Sequence, residues 1–220
     1  MDTLETILKT KIIAISRGFY GRKLIDASLA LYEGGVRAFE VTFEQDNDLV
    51  RSSENVARTC EAISALRFAL PADAVIGAGT VITADQVNAA KDAGAAFIIS
   101  PNSDPDVIKQ TKHLGLVSIP GAMTPSEIVY ARSSGADIVK VFPAGVLGVG
   151  YFKAIKTPLA HIRLAAVAGV DPDNISAFAK AGAEAFGVST GLYVPTAVEN
   201  GDFEALTIRA RLYFDKLSVN

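Results

Sequence analysis

Short runs of apolar residues recur along the whole chain, separated by segments in which polar and apolar positions are mixed. Eight runs stand out, namely KIIAIS, AFEVTF, AVIGAG, FIIS, LVSI, IVKVF, RLAAVA and AFGVS. The runs are nearly continuous rather than alternating, which is typical of strands that are covered by protein on both faces. The intervening segments are long enough for helices, so the pattern predicts a parallel sheet with helices packed on it.

Glycines and capping residues mark the ends and starts of the predicted helices. The segments YEGGVRAFEVT, KDAGAAFIIS, RSSGADIVKVF and AKAGAEAFGVS each place a glycine between helical residues and the next apolar run, where left-handed backbone closes a helix. The glycines concerned are Gly35, Gly94, Gly135 and Gly182. Thr83 and Thr124 are each followed three residues later by Gln or Glu, the spacing of a capping residue and its partner at a helix start. Asp171, followed by proline, predicts a third helix start.

Strand and helix alternate eight times, which predicts an α/β fold, the (β/α)₈ or TIM barrel. We expect residues 1–220 to form a single domain, because no linker or low-complexity segment interrupts the chain and barrels of this size fold as one unit. An open doubly wound sheet is the alternative. It is disfavoured because no G-x-G-x-x-G fingerprint follows the first strand.

Two charged residues lie inside predicted buried strands. Glu40 occupies AFEVTF, and Lys140 occupies IVKVF. Alternate side chains of a barrel strand point into the interior, so we expect Glu40 to share an inward face with Thr42. By the same alternation, we expect Lys140 to point inward with Ile138 and Phe142. Side chains at the carboxyl ends of barrel strands face the mouth in which active sites form.

The residues alone leave two interpretations of this pair. Lys140 and Glu40 can form a buried ion pair with a purely structural role. Alternatively, burial lowers the pKa of the lysine, and a neutral amine is the form that attacks a carbonyl to make a Schiff base while the carboxylate moves protons. Arg17, Thr80 and Pro101 follow the first, third and fourth runs and are expected at the same mouth. Such a gathering of polar groups favours the second interpretation.

In these motifs the chain resembles the 2-keto-3-deoxy-6-phosphogluconate aldolase family, with its galactonate-type and 4-hydroxy-2-oxoglutarate aldolase relatives. The similarity runs from IIAISRG to STGLYVP and rests on FEVTF, GAGTV, IISPN, IPGAMTPSE and VKVFPA, in this order. The resemblance implies a class I aldolase on a (β/α)₈ barrel. It implies reversible cleavage of a 2-keto-3-deoxy-6-phospho-aldonate, of gluconate or galactonate type, to pyruvate and glyceraldehyde 3-phosphate.

The resemblance also implies roles for individual residues. Lys140 matches the lysine that forms the Schiff base, and Glu40 matches the general acid–base. Thr80 matches the residue that contacts the pyruvyl carboxylate, with Pro101 lining the same pocket. Arg17 matches the arginine that binds an anionic part of the substrate. Because the iminium serves as the electrophile, the resemblance implies no metal and no cofactor.

One departure from the gluconate-type members concerns the pyruvyl carboxylate. Those members carry an arginine four residues after the glutamate, and this chain has Glu44 there. A glutamate at this position repels the carboxylate unless its side chain turns away. The acidic segment EQDND that begins at Glu44 is expected to be a solvated loop, with a role in substrate selection as the alternative.

Two further motifs depart from the gluconate-type members. Those members have Thr-Gly-Gly where this chain has Val167, Ala168 and Gly169, and the valine is similar to galactonate-type relatives, in which this position influences stereochemical preference. Thr190 stands where they have a serine of the phosphate site. Backbone N–H groups of Gly169, Thr190 and Gly191, with a following helix start, are expected to bind an anion. Turn geometry alone is the other interpretation of the glycines.

Composition narrows the classes of function. The net charge is −3 and no basic block is present, so neither nucleic acid nor an anionic membrane is expected as a partner. A single cysteine, Cys60, fits a reducing compartment, and we expect a cytoplasmic protein. His113 and His161 are the only histidines and have no clustered partners, so no metal site is expected. The resemblance implies a homo-oligomer, a trimer.

Three functional hypotheses follow. The first is a Schiff-base aldolase acting on a phosphorylated ketodeoxy acid. The second keeps this chemistry but acts on an unphosphorylated acid such as 4-hydroxy-2-oxoglutarate. The third is a non-catalytic barrel that binds a sugar acid or sugar phosphate, and Glu44 is its best support. Formation of a pyruvate imine distinguishes the first two hypotheses from the third.

Overall fold

The computed structural model describes residues 2–44 and 53–218, and within these ranges it has nine strands and ten helices. The strands are β1 (Ile12–Ser16), β2 (Ala38–Thr42), β3 (Val75–Gly79), β4 (Phe97–Ile99), β5 (Val117–Ile119), β6 (Gly121–Ala122), β7 (Val139–Val141), β8 (Leu164–Val167) and β9 (Ala183–Val188). The helices are α1 (Thr3–Thr10), α2 (Gly21–Glu33), α3 (Ser53–Ala69), α4 (Ala84–Asp92), α5 (Pro105–His113), α6 (Pro125–Ser133), α7 (Ala144–Lys156), α8 (Ile175–Lys180), α9 (Pro195–Asn200) and α10 (Phe203–Ser218). None of these helices is long and apolar enough to cross a membrane.

The strands form one parallel sheet in the order β5-β4-β3-β2-β1-β9-β8-β7-β6. The two ends of this order, β5 and β6, are consecutive in the chain. The sheet therefore closes, and the Lys140 N–H donates to the carbonyl of Pro120 at 2.8 Å across the seam. The predicted (β/α)₈ barrel is confirmed, and the open doubly wound sheet is wrong.

The fifth position of the barrel holds one strand more than expected. The run LVSI forms β5, as predicted, but a short second strand, β6, follows it after Pro120. Proline has no backbone N–H and interrupts the ladder of hydrogen bonds. The eight expected strands therefore become nine, and the sixth, seventh and eighth predicted strands are β7, β8 and β9.

The helix starts predicted at Thr83 and Thr124 are confirmed, whereas the start predicted at Asp171 is wrong, because residues 172–174 form a turn and α8 begins only at Ile175. Thr124 and Glu127 form a reciprocal capping box at the start of α6, and Thr83 accepts from the Gln86 N–H at the start of α4. Asp171 accepts from backbone N–H groups in the turn before α8. All four glycines predicted at helix ends have positive φ, and they are Gly35, Gly94, Gly135 and Gly182.

Apolar side chains form two layers. The inner layer fills the barrel and includes Ile13, Phe97 and Ile138, whereas the larger outer layer packs the strands against the helices. Ile7 of α1 is fully buried against the inner layer and closes the amino-terminal end of the barrel. The opening therefore lies at the carboxyl ends of the strands, where barrel active sites form.

Candidate active site

Lys140 points into the barrel from β7. Its neighbours in register are Gly121 of β6, which has no side chain, and Ala165 of β8, which has only a methyl group. Only 7% of the residue is exposed, and Nζ lies 4.8 Å from the centroid of the Phe142 ring. Phe142, expected to point inward, lies at the mouth and is 38% exposed.

Glu40 points into the same interior from β2 and is 2% exposed. Its carboxylate fits against Gly79 of β3, where a Cβ atom would overlap Oε1. Oε2 of Glu40 and Oγ1 of Thr42, on the same face of β2, are buried and have no hydrogen-bond partner in the described part of the protein. Buried polar atoms without a protein partner are uncommon and mark sites that water or a ligand completes.

Substitution of Gly79 tests this packing. We expect Gly79→Ala to destabilise the protein by about 1–3 kcal/mol, because the added methyl group must displace the Glu40 carboxylate in a closely packed interior. Gly150→Ala in α7 is the matched control, since a Cβ atom there has no neighbour within 4 Å. Urea unfolding at pH 6 measures both variants. Equal stability of the two variants would contradict the packing of Glu40 on Gly79.

Lys140 and Glu40 interact without forming a direct ion pair. Within residues 2–44 and 53–218, no carboxylate oxygen lies within 4.0 Å of Lys140 Nζ. Burial raises the pKa of Glu40 to about 7, although the charges of Lys140 and Arg17 oppose the rise. Burial likewise lowers the pKa of Lys140; Glu40 opposes this shift and Arg17 adds to it. Both groups are therefore shifted toward their neutral forms, as desolvation requires.

A cavity of about 500 Å³ opens at this end of the barrel. Six of the eight predicted site residues line it, and they are Arg17, Glu40, Lys140, Val167, Gly169 and Thr190. Thr80 reaches it indirectly, because its hydroxyl accepts from Nη2 of Arg17 at 3.1 Å. Pro101 lines a neighbouring cavity of about 300 Å³ that shares Phe142 with the first, rather than the cavity of Lys140 itself.

Two non-glycine residues near the cavity have left-handed backbone. Thr80 has φ 56° and Ala168 has φ 69°, a conformation that costs free energy for residues with a Cβ atom and that concentrates at functional sites. The loop after β8 also packs tightly on the start of α7. The Gly145 N–H donates to the Ala168 carbonyl at 2.8 Å, and a Cβ atom on Gly169 would lie only 2.8 Å from the Gly145 Cα.

The Glu44 side chain is turned away from the cavity. Its Oε1 accepts from the Tyr20 hydroxyl at 3.0 Å, its Oε2 pairs with the guanidinium of Arg58, and it does not line the cavity. Glu44 is therefore not placed to repel a substrate carboxylate in the cavity. This removes the main argument for a non-catalytic barrel. The rest of the EQDND segment, residues 45–48, lies outside the described residues, so its expected loop is not tested.

The loops after β8 and β9 present backbone donors to the cavity. In the described part of the chain, the N–H groups of Gly169, Thr190 and Gly191 have no protein acceptor. All three residues line the cavity. Unpaired N–H groups that converge on a cavity are suited to an anion.

Two cavity residues lie outside the strands and their following loops and were not identified from the sequence. Arg209 and Tyr213 lie on α10 and reach the cavity beside Gly191. Their i, i+4 spacing indicates a shared helix face. Nothing in the local sequence indicates that this face meets the barrel mouth, because an arginine on the last helix is most often a solvated surface charge.

The geometry of the site suits addition of an amine to a carbonyl. Burial shifts Lys140 toward the neutral amine, which is the nucleophilic form, and a carboxyl group that titrates near neutral pH can accept and return protons in turn. Cationic and backbone donors at the mouth can hold an acidic substrate in place. The arrangement therefore supports imine chemistry on a 2-keto acid.

Comparison with known proteins gives a consistent picture. The family model described as KDPG and KHG aldolase matches residues 4–208. A probable 2-dehydro-3-deoxy-6-phosphogalactonate aldolase of Rhizobium meliloti (strain 1021) is 35% identical over 209 residues, which cover 94% of this chain and 93% of that protein. The 2-dehydro-3-deoxy-6-phosphogalactonate aldolase of Escherichia coli (strain K12) is 32% identical over 84% of this chain and 85% of that protein. A solved structure described as native KDPGal covers 94% of both chains with a TM-score of 0.81 and 29% identity.

Proposed function

Because the chain belongs to the KDPG and KHG aldolase family, we propose that it is a class I aldolase for a 2-keto-3-deoxy-6-phospho-aldonate of the galactonate type. The reaction is reversible cleavage to pyruvate and glyceraldehyde 3-phosphate. The observation that carries the proposal is the pairing of a buried amine, Lys140, with a buried carboxyl, Glu40, in one cavity at the barrel mouth.

Lys140 is the nucleophile of this reaction. Its amine adds to the C2 carbonyl, and loss of water leaves an iminium that withdraws electrons from the C3–C4 bond. Glu40, directly or through a water molecule, accepts the proton of the C4 hydroxyl as this bond breaks, and the aldehyde leaves. Glu40 then returns a proton to C3 of the enamine, and hydrolysis releases pyruvate. A pKa of about 7 allows the carboxyl both to accept and to return a proton near neutral pH.

The remaining predicted residues bind the substrate. Arg17 and Thr80 are joined by a hydrogen bond, which supports their action as a unit on the acidic groups of the substrate. Gly169 and Thr190 offer unpaired N–H groups to the anionic end. Pro101 shapes the mouth from the neighbouring cavity.

Two observations favour the galactonate type. The two relatives described above are 2-dehydro-3-deoxy-6-phosphogalactonate aldolases by name, and Val167 lines the cavity where gluconate-type members have threonine. We expect the highest kcat/KM on the phosphorylated galactonate-type acid in a panel of epimeric ketodeoxy acids, each with and without phosphate. A preference for the gluconate epimer would contradict the assignment. Higher activity on 4-hydroxy-2-oxoglutarate would favour the unphosphorylated alternative.

Trapping with pyruvate and borohydride tests the chemistry itself. The folded protein is expected to gain the mass of one reduced pyruvyl group, and peptide mapping is expected to locate it on Lys140. An unchanged mass of the folded protein would contradict the Schiff-base chemistry and favour a non-catalytic barrel that binds a sugar acid.

We further propose a cytoplasmic homo-oligomer, a trimer by family resemblance. Met123, Tyr130 and Phe142 are each more than a third exposed and line one cavity, and Val129 beside them is also exposed. An apolar patch of this kind is typical of an interface. Light scattering at micromolar concentration is expected to give three times the chain mass of 23.1 kDa. A monomer would contradict the proposal.

A further inference from the structure

Arg209 is a charged residue of the site cavity that the proposed reaction does not use. It lies half-buried on α10, one helical turn from the buried Tyr213. Its Nε donates to the carbonyl of Gly191 at 3.1 Å, and its Cζ lies 5.6 Å from the Tyr213 ring centroid. These contacts hold the guanidinium against the turn that follows β9.

The guanidinium has no anionic partner within the described ranges. No carboxylate oxygen of residues 2–44 or 53–218 lies within 4.0 Å of it. Asp171 lines the same cavity, but its Oδ1 accepts from the N–H groups of Asp173 and Asn174. The arginine guanidinium is a planar fork of N–H donors that matches phosphate oxygens. Gly191 accepts from Nε and the Tyr213 hydroxyl is a second partner, which leaves further donors for a ligand.

The cavity has room for a ligand group well beyond the imine-forming end. Pyruvate has about six non-hydrogen atoms, or about 180 Å³ if each takes the volume of a water molecule in the liquid. The cavity measures about 500 Å³ and extends from Lys140 on β7 to Arg209 on α10. The space beside Arg209 also contains the unpaired N–H groups of Thr190 and Gly191.

We propose that Arg209 is a specificity-determining residue that binds the terminal phosphate monoester of the substrate, together with the N–H groups of Thr190 and Gly191. The inference rests on the proposed function and adds to it a residue from outside the strand and loop motifs. A phosphate bound there is held by a charge from α10, so the preference for phosphorylated acids depends on the last helix of the chain.

Substitution of Arg209 tests the inference. We expect Arg209→Gln to raise KM for the phosphorylated acid about 10- to 100-fold, as loss of a charge-assisted hydrogen bond implies. The same variant is expected to leave the rate on the dephosphorylated acid and the trapping of pyruvate unchanged. Arg209→Lys, which keeps the charge but loses the planar fork, is expected to give a KM between those of the unaltered protein and Arg209→Gln. Arg211→Gln, exposed on the same helix, is the matched control.

Calorimetric titration with inorganic phosphate gives a readout that does not need catalysis. The unaltered protein and Arg211→Gln are expected to bind phosphate, and Arg209→Gln is expected to bind it at least 10-fold more weakly. Equal phosphate binding by all three proteins would overturn the inference. The inference would also be overturned if Arg209→Gln lowered kcat/KM equally for the phosphorylated and the dephosphorylated acid. Such a result would indicate that the side chain only supports the turn at Gly191. Failure of the proposed function appears separately, as absence of the pyruvate adduct in the unaltered protein.

Discussion

Lys140→Met is expected to lower kcat about 10⁴-fold or more and to abolish the mass gain after treatment with pyruvate and borohydride. Methionine has a similar length but no amine, so no imine can form at this position. At pH 6, where the Glu40 carboxyl is mostly protonated, the free energy of unfolding is expected to stay the same or to rise, because an apolar side chain in this buried position removes the cost of desolvating an ammonium group. Intact mass, steady-state kinetics and urea unfolding measure the three effects.

Lys153→Met provides the matched control for this variant. Lys153 lies exposed on α7, outside the cavity, so its loss is expected to leave both the adduct and the rate unchanged. A pyruvyl adduct that persisted in Lys140→Met would contradict the assignment and would require a different lysine as the nucleophile.

Glu40→Gln is expected to lower kcat for cleavage about 10²- to 10⁴-fold, the usual contribution of general acid–base catalysis. The amide cannot accept the proton of the C4 hydroxyl, and it cannot return one to the enamine. Trapping of pyruvate is expected to persist, whereas exchange of the pyruvate methyl protons with deuterated water, followed by NMR, is expected to be lost. Glu61→Gln, on the exposed surface of α3, is the matched control and is expected to leave kcat and the proton exchange unchanged.

The pH dependence of stability gives a second readout of the same substitution. The Glu40 pKa of about 7 in the folded protein lies above its ordinary value of 4.5, so the folded state holds this proton more tightly than the unfolded chain. The contribution of Glu40 to stability is therefore full below pH 4.5, falls as the pH rises through 7, and is then lower by up to about 3 kcal/mol. Glu40→Gln is expected to gain stability over the unaltered protein at pH 8 and not at pH 4. A constant difference between the two proteins would contradict the raised pKa.

The fold and the two buried charges could be predicted from the sequence because both depend on local pattern. Near-continuous apolar runs followed by capped helices specify parallel strands covered by protein. The period of two along a strand then places Glu40 and Lys140 on inward faces without any knowledge of their neighbours. Successive side chains of a strand point to opposite faces, so the direction of each side chain follows once the strand is recognised.

Other parts of the site depend on contacts between distant segments and could not be predicted in this way. The pairing of Glu44 with Arg58 joins a strand end to a helix across residues 45–52, and no spacing rule relates them. Arg209 reaches the cavity only because α10 packs beside α2 and α8 around the closed barrel. The short strand β6 was not predicted either, because the apolar run LVSI ends before Pro120 and β6 follows it.

Closure at Pro120 leaves the described strands without a free edge. The Ile138 N–H donates to the Ser118 carbonyl and the Phe142 N–H donates to the Ala122 carbonyl, so β5 and β6 both form hydrogen bonds with the segment that contains β7. Exposed strand edges are the templates on which chains add to one another's sheets and aggregate. Any association between copies of this protein must therefore use side chains of helices and loops, because the closed ring of described strands offers no free backbone edge to another strand.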